Sequence, residues 1–212
     1  VNDDVAPGGV CLHRGCIPSK ALLHLAHVVE TAHDAKQWGL TFAEPAVDLD
    51  KVRAWKDRTV GNLIGGLSSL CRRRGIDYRQ GWAAFLDAQT VKVEGPGEGT
   101  FAFDNCLIAT GSEPVKLPFM PNESDRVLDS TSALALKEIP GSLLVVGGGY
   151  IGLELGTVYA ALGSTVTVVE LTDGLLPGCD RDLVRPLQKR VAGLFDSILL
   201  NTKVTAAKEA EA

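Results

Sequence analysis

The sequence has no apolar run approaching the roughly 20 residues that span a bilayer, because Glu154 breaks its most apolar stretch. No transmembrane helix is expected. It also lacks an excess of positive charge: 21 Lys and Arg stand against 26 Asp and Glu, a formal net charge of -5, and the basic residues are scattered. That leaves no basic face for phosphate backbones or anionic lipid, so neither nucleic acid nor a membrane is an expected partner. Cysteine is scarce as well. Five in 212 residues are too few for a disulfide scaffold. Only Cys11 and Cys16 lie close together, as a reactive pair in a reducing compartment does, and the cytoplasm is the expected location. Residue 1 is Val rather than Met, which leaves an upstream targeting segment open. There is no internal repeat and no low-complexity tract. What is present, 45% apolar and 22% charged, is the composition of a globular chain large enough for one or two cores.

Periodicity divides the chain. Leu22, Leu23, Ala26, Val29 and Ala32 recur at helical spacing between Ser19 and about Lys36, behind Pro18, which suits a first helical turn. A second helical pattern from Val52 to Leu70 meets Gly65 and Gly66, where it is expected to kink or end. Short alternating segments at Trp82 to Phe85, Thr90 to Glu94 and Phe101 to Phe103, with the turn-rich 95–99 between the last two, predict a small antiparallel meander. The run Cys106 to Ala109 reads as a buried strand. Prolines 114, 118 and 121 then mark a linker over 112–141. Beyond Pro140 the order is strand 143–146, glycine turn, helix 151–162, strand 165–170, helix 183–191 and strand 198–202. This is βαβ logic with a parallel sheet, left unfinished where the sequence stops.

Cys11 and Cys16 sit in Gly8-Gly9-Val10-Cys11-Leu12-His13-Arg14-Gly15-Cys16-Ile17-Pro18-Ser19-Lys20. Four intervening residues, one a glycine, let two sulfurs meet. A helix N-terminus carries about half a positive charge, and Lys20, one turn on, adds a full one; both favour a thiolate at Cys16. The spacing alone also suits two buried cysteines at a helix start. Cys71, Cys106 and Cys179 have no positioned base or nearby partner and read as structural. His24, His27 and His33 read as solvated or packed helix residues, and no metal site is expected.

Gly147-Gly148-Gly149-Tyr150-Ile151-Gly152 follows the apolar strand Leu143-Leu144-Val145-Val146 and opens a helix, the context that a G-x-G-x-x-G match needs. Gly147 allows the tight turn, Gly149 the approach of a pyrophosphate, and Gly152 close helix–strand packing, with the diphosphate on the helix N-terminus. Glu170 ends the next strand, where a carboxylate accepts hydrogen bonds from both ribose hydroxyls. An acid there disfavours a 2′-phosphate, so NAD is expected rather than NADP.

The cysteine string resembles the redox-disulfide signature of the flavoprotein disulfide reductases, the pyridine nucleotide–disulfide oxidoreductases, and Cys-Ile-Pro-Ser-Lys-Ala-Leu is the form typical of their dihydrolipoamide dehydrogenases. The likeness runs from Gly8 to the end. It departs from the usual string at His13, where asparagine is commoner; the family base is instead a histidine near the distant C-terminus, supplied by the other subunit. The resemblance implies an α/β fold of two Rossmann-like three-layer domains with the small β-meander: FAD-binding at 1–111, NAD-binding at 142–212, and both incomplete. The chain is accordingly expected to be the middle of a longer protein, without the first FAD glycine motif, the second FAD element and the C-terminal dimerisation domain.

In the family pattern Cys11 exchanges with the substrate dithiol, Cys16 faces the flavin as the charge-transfer thiolate, and Glu154 pairs with Lys20. Gly8, Gly9, Lys20, Ala83, Thr110 and Gly111 fall at FAD-binding positions; Leu107-Ile108-Ala109-Thr110-Gly111-Ser112 resembles the element that closes the FAD domain. The NAD positions are Gly147, Gly149, Tyr150 (a gate to the nicotinamide pocket), Ile151, Gly152, Glu170 and Val204. The implied reaction is oxidation of dihydrolipoamide by NAD through the disulfide and FAD. The implied partners are the lipoyl domains of 2-oxoacid dehydrogenase complexes and, at full length, a second copy. Glutathione-type and mercuric reductases are rivals that Ile17, Ser19 and Glu170 disfavour. The rival of another kind is a non-catalytic nucleotide-binding remnant.

Overall fold

The computed structural model describes residues 6–210. Its fold is α/β, built from two three-stranded sheets and the helices packed around one of them.

Helix α1 (Gly9–Arg14), a single Gly15 and helix α2 (Cys16–Asp34) carry the cysteine segment. Helix α2 starts three residues before the predicted Ser19, and α1 was not predicted at all. The earlier start costs little, because Pro18 lies in the first turn, where its missing N–H has no intrahelical partner to lose. Leu22, Ala26 and Val29 form the buried stripe of α2, which packs against α5 and α3.

Helix α3 (Leu49–Arg73) is capped by Asp48, whose carboxylate accepts the Lys51 N–H at 3.1 Å. It runs unbroken through Gly65 and Gly66, where a kink or an end was expected. Two glycines cost about 1 kcal/mol each relative to alanine, and continuous helix on both sides outweighs that because propagation adds a hydrogen bond for each residue fixed. Its N-terminal half is anchored by Lys56 Nζ, which donates to the Leu134 carbonyl at 2.8 Å, and by Arg53, which donates to the Leu136 carbonyl at 2.7 Å.

Strands β1 (Trp82–Phe85), β2 (Thr90–Glu94) and β3 (Gly99–Ala102) form the antiparallel meander, with Ala84 opposite Lys92 and Val91 opposite Phe101. The third strand starts two residues ahead of its predicted place. The run Cys106 to Ala109 is not a strand and is not buried: Leu107 is 90% and Ile108 68% exposed. Its apolar residues favour a sheet interior, yet the described strands pair only among themselves, so it has no ladder to join.

The Pro-spaced stretch contains helix α4 (Ser130–Ala135), opened by a capping box between Asp129 and Ser132. Leu134 and Leu136 are buried in the main core. Strands β4 (Ser142–Val146), β5 (Thr165–Val169) and β6 (Ser197–Leu199) pair in parallel in the order β4-β5-β6. Helices α5 (Tyr150–Ala161) and α6 (Arg181–Val191) are the crossovers. Val158, Tyr159, Val166 and Val168 fill the core between sheet and helices. Every predicted element of this unit is present, displaced by at most two or three residues at its ends. Among the described residues no helix is long and apolar enough to cross a membrane.

Candidate functional site: a disulfide turn beside a glycine turn

Cys11 lies in α1 and Cys16 is the first residue of α2; their sulfurs are bonded, with the Cα atoms 4.6 Å apart. Gly15 makes the turn between the two helices possible. A Cβ there would stand 2.9 Å from the Val10 carbonyl oxygen and 3.2 Å from the Cys11 Cα, so a side chain would force the cysteines apart. The helix N-terminus of α2 therefore lies directly at one sulfur, in the position that stabilises a departing thiolate.

One turn further along α2, Lys20 Nζ reaches Glu154 Oε1 of α5 at 2.7 Å. Ser19 was quoted in the motif without a role. Its hydroxyl lies 3.2 Å from the other Glu154 oxygen and 3.2 Å from the Cys16 carbonyl. The two residues thus clasp one carboxylate and tie the cysteine helix to the helix that opens at the glycine turn. A second tie joins Arg190 of α6 to Glu30 of α2. A cleft of about 260 Å³ lies between these helices, lined among others by His27, Glu30, Tyr150 and Glu154.

At the glycine turn, a Cβ on Gly152 would lie 2.6 Å from the Gly147 carbonyl oxygen and 2.9 Å from Val145 Cγ1. Only a glycine lets α5 start this close to β4. Tyr150 and Ile151 are exposed on the first turn. Glu170 follows the end of β5 and is buried, at 6% exposure. One carboxylate oxygen accepts the Gly148 N–H at 2.6 Å; the other accepts the Thr172 N–H and the Thr172 hydroxyl, both at 2.7 Å. Burial pushes the Glu170 carboxyl up, but the Thr172 N–H, the Gly148 N–H and the Thr172 hydroxyl together outweigh it, so its pKa lies below the ordinary glutamate value. Sequence reasoning missed Gly148 and Thr172; a threonine two residues after an acid, the setting of a local side-chain turn, was the available signal.

The remaining predicted positions scatter. Gly8 and Gly9 precede and open α1. Gly111 comes within contact of Val10, where a Cβ would be 3.1 Å from Val10 Cγ2, so the Thr110-Gly111 backbone runs beside the disulfide turn. Ala83 is exposed on β1, and Val204 is half-buried in irregular chain after β6. His13 Nε2 lies 3.2 Å from the Ala6 carbonyl oxygen, His24 packs on Trp55 and His33 pairs with Glu44. Cys106 and Cys179 are exposed, which removes the packing role expected of them: Cys106 follows a turn into chain without a ladder, and Cys179 lies in the loop before α6.

A protein-family model described as pyridine nucleotide-disulphide oxidoreductase matches residues 4–212. The chain belongs to this family. Among its relatives, the dihydrolipoyl dehydrogenase of Vibrio cholerae is 48% identical over 205 residues, which cover 96% of this chain and 43% of that protein. The dihydrolipoyl dehydrogenase of Haemophilus influenzae is 50% identical over 204 residues, covering 95% and 42%. Among solved structures, the HOCl-induced flavoprotein disulfide reductase of Escherichia coli matches with a TM-score of 0.75 at 28% identity, over 96% of this chain and 43% of that one. The chain spans less than half the length of these proteins.

Proposed function

We propose that this chain is the disulfide-bearing part of a dihydrolipoamide dehydrogenase, which oxidises dihydrolipoamide to lipoamide and reduces NAD to NADH. The observation that carries this reading is the Cys11–Cys16 disulfide at the start of α2, with Lys20 clasping Glu154 on the helix that begins at the glycine turn. The site residues are Cys11, Cys16, Lys20 and Glu154 for the chemistry; Gly147, Gly149, Tyr150, Ile151, Gly152, Glu170 and Val204 for NAD; and Gly8, Gly9, Lys20, Ala83, Thr110 and Gly111 for FAD.

The residues fit both groups. The glycine turn leaves the first N–H groups of α5 for a diphosphate, with open space around Gly147 and Gly149 and a buried acid beside it. The backbone at Gly111 passes against Val10 of the disulfide turn, and this segment together with Lys20 would hold FAD. When bound, FAD supplies the conversion of a two-electron thiol reduction into hydride transfer to NAD. The protein does the rest. A thiolate of dihydrolipoamide attacks the Cys11 sulfur, forming a mixed disulfide and releasing Cys16 as a thiolate under the α2 N-terminus. The second substrate thiol, losing its proton, attacks the first substrate sulfur, closes the lipoamide ring and releases Cys11. Two electrons then reside on the cysteine pair, and Lys20 and Glu154 hold α2 against α5.

This reading includes a partial FAD-binding domain over 1–111, a linker over 112–141 and a partial NAD-binding domain over 142–212, both of Rossmann type. It places the whole protein in the cytoplasm as a homodimer serving lipoyl domains of a 2-oxoacid dehydrogenase complex. The test is turnover by the protein expressed from its natural reading frame. NADH formation driven by dihydrolipoamide, lost in Cys11→Ser and Cys16→Ser, is expected. Rapid reduction of glutathione disulfide with no activity on dihydrolipoamide would overturn the substrate assignment.

A further inference from the structure

The Glu170 carboxylate has about four acceptor positions, and three take hydrogen bonds from within the chain, with the Leu171 N–H a further, weaker donor. One oxygen takes the Gly148 N–H; the other takes both donors of Thr172 and is saturated. A ribose that offers two hydroxyls therefore finds at most one vacancy where it needs two. The Thr172 hydroxyl has a single proton and two acceptors in reach, Glu170 at 2.7 Å and the Gly174 carbonyl oxygen at 2.9 Å. A rotation of the hydroxyl from the first to the second opens the missing position without moving the backbone.

We propose that Thr172 is a specificity-determining residue for the adenosine ribose, whose hydroxyl occupies Glu170 in the free protein and turns to Gly174 when the nucleotide arrives. The inference rests on the reading of the glycine turn and Glu170 as the NAD site. It makes Thr172 a competitor of the ligand: each binding event trades one hydrogen bond to a buried carboxylate for another. Removing the competitor leaves the free protein with an unfilled carboxylate position, which the ribose then fills at a net gain. Bonds to charged groups are strong enough for a gain of about tenfold in affinity.

The test is calorimetric NAD binding to the oxidised protein from its natural reading frame, as wild type, Thr172→Val and Thr172→Ser. Thr172→Val is expected to bind NAD about tenfold more tightly and Thr172→Ser like wild type. The gain of Thr172→Val is expected to vanish with one of the two NAD analogues that lack the adenosine 2′- or 3′-hydroxyl. Equal binding by wild type and Thr172→Val would overturn the inference and leave the NAD site intact, as would a gain retained with both analogues. Weaker binding by Thr172→Val, with faster amide exchange at Gly148, would reduce Thr172 to a structural clamp and equally overturn it. Wild type that binds no NAD would sink the nucleotide site itself.

Discussion

At Glu170 a buried carboxylate is stabilised in its charged form by three donors, and the direction of its pKa shift fixes a pH dependence. Its folded pKa is below the unfolded value, so its contribution to stability is fully present above the ordinary glutamate range, about 4.3. That contribution fades as the pH falls through the lower folded value. Glu170→Gln is expected to lose on the order of 1–3 kcal/mol of stability at neutral pH. The gap to wild type should close as urea unfolding is repeated at decreasing pH below 4.3 or so; a gap that stays constant across the acid range would show that the charge is not what matters. The acid itself was legible in the sequence, because it ends an alternating strand after a glycine turn. Its internal partners were not, since Gly148 is brought to it by the fold from 22 positions away.

Elements followed the sequence where an apolar face of the pattern had a partner. Strands β4 and β5 and helix α5 came out close to their predicted places because Leu143 and Val145, Val166 and Val168, and Leu153 and Val158 meet in a single core. Two expectations failed for lack of such a rule. The glycine pair in α3 was read as a break, although a helix anchored through Arg53 and Lys56 and continued on both sides tolerates it. The run Cys106 to Ala109 was read as a buried strand from its composition, and composition says nothing about whether a neighbouring strand exists to receive it. Helix α4 was hidden among prolines. It is held by the Tyr159 hydroxyl, which donates to the Ala133 carbonyl at 2.9 Å from the last turn of α5. Tyr159 is buried, and burial with the nearby Glu138 raises its pKa, so the phenol stays protonated and a donor at neutral pH. Tyr159→Phe is expected to cost about 1 kcal/mol by leaving that carbonyl with the Leu136 N–H as its one hydrogen bond. Thermal unfolding with amide exchange across 130–136 checks this, and unchanged protection of α4 would contradict it.

At the scale of the molecule, polar connections run from the cysteine helix to the helices of the parallel sheet: Lys20 and Ser19 to Glu154, and Glu30 to Arg190. The first was legible only through family resemblance, since a lysine and a glutamate 134 positions apart carry no local signal. The second was not legible at all. Together they set the disulfide turn beside the glycine turn, and the proposed electron path depends on that juxtaposition. The most direct measurement is a thiol count by mass spectrometry on the protein from its natural reading frame, alkylated under denaturing conditions before and after exposure to dihydrolipoamide. We expect Cys11 and Cys16 to be blocked before and labelled after, a gain of two thiols per chain, with the label lost again on addition of NAD. Cysteines 11 and 16 that remain oxidised in the presence of the dithiol, or whose labelling is indifferent to NAD, would contradict the account.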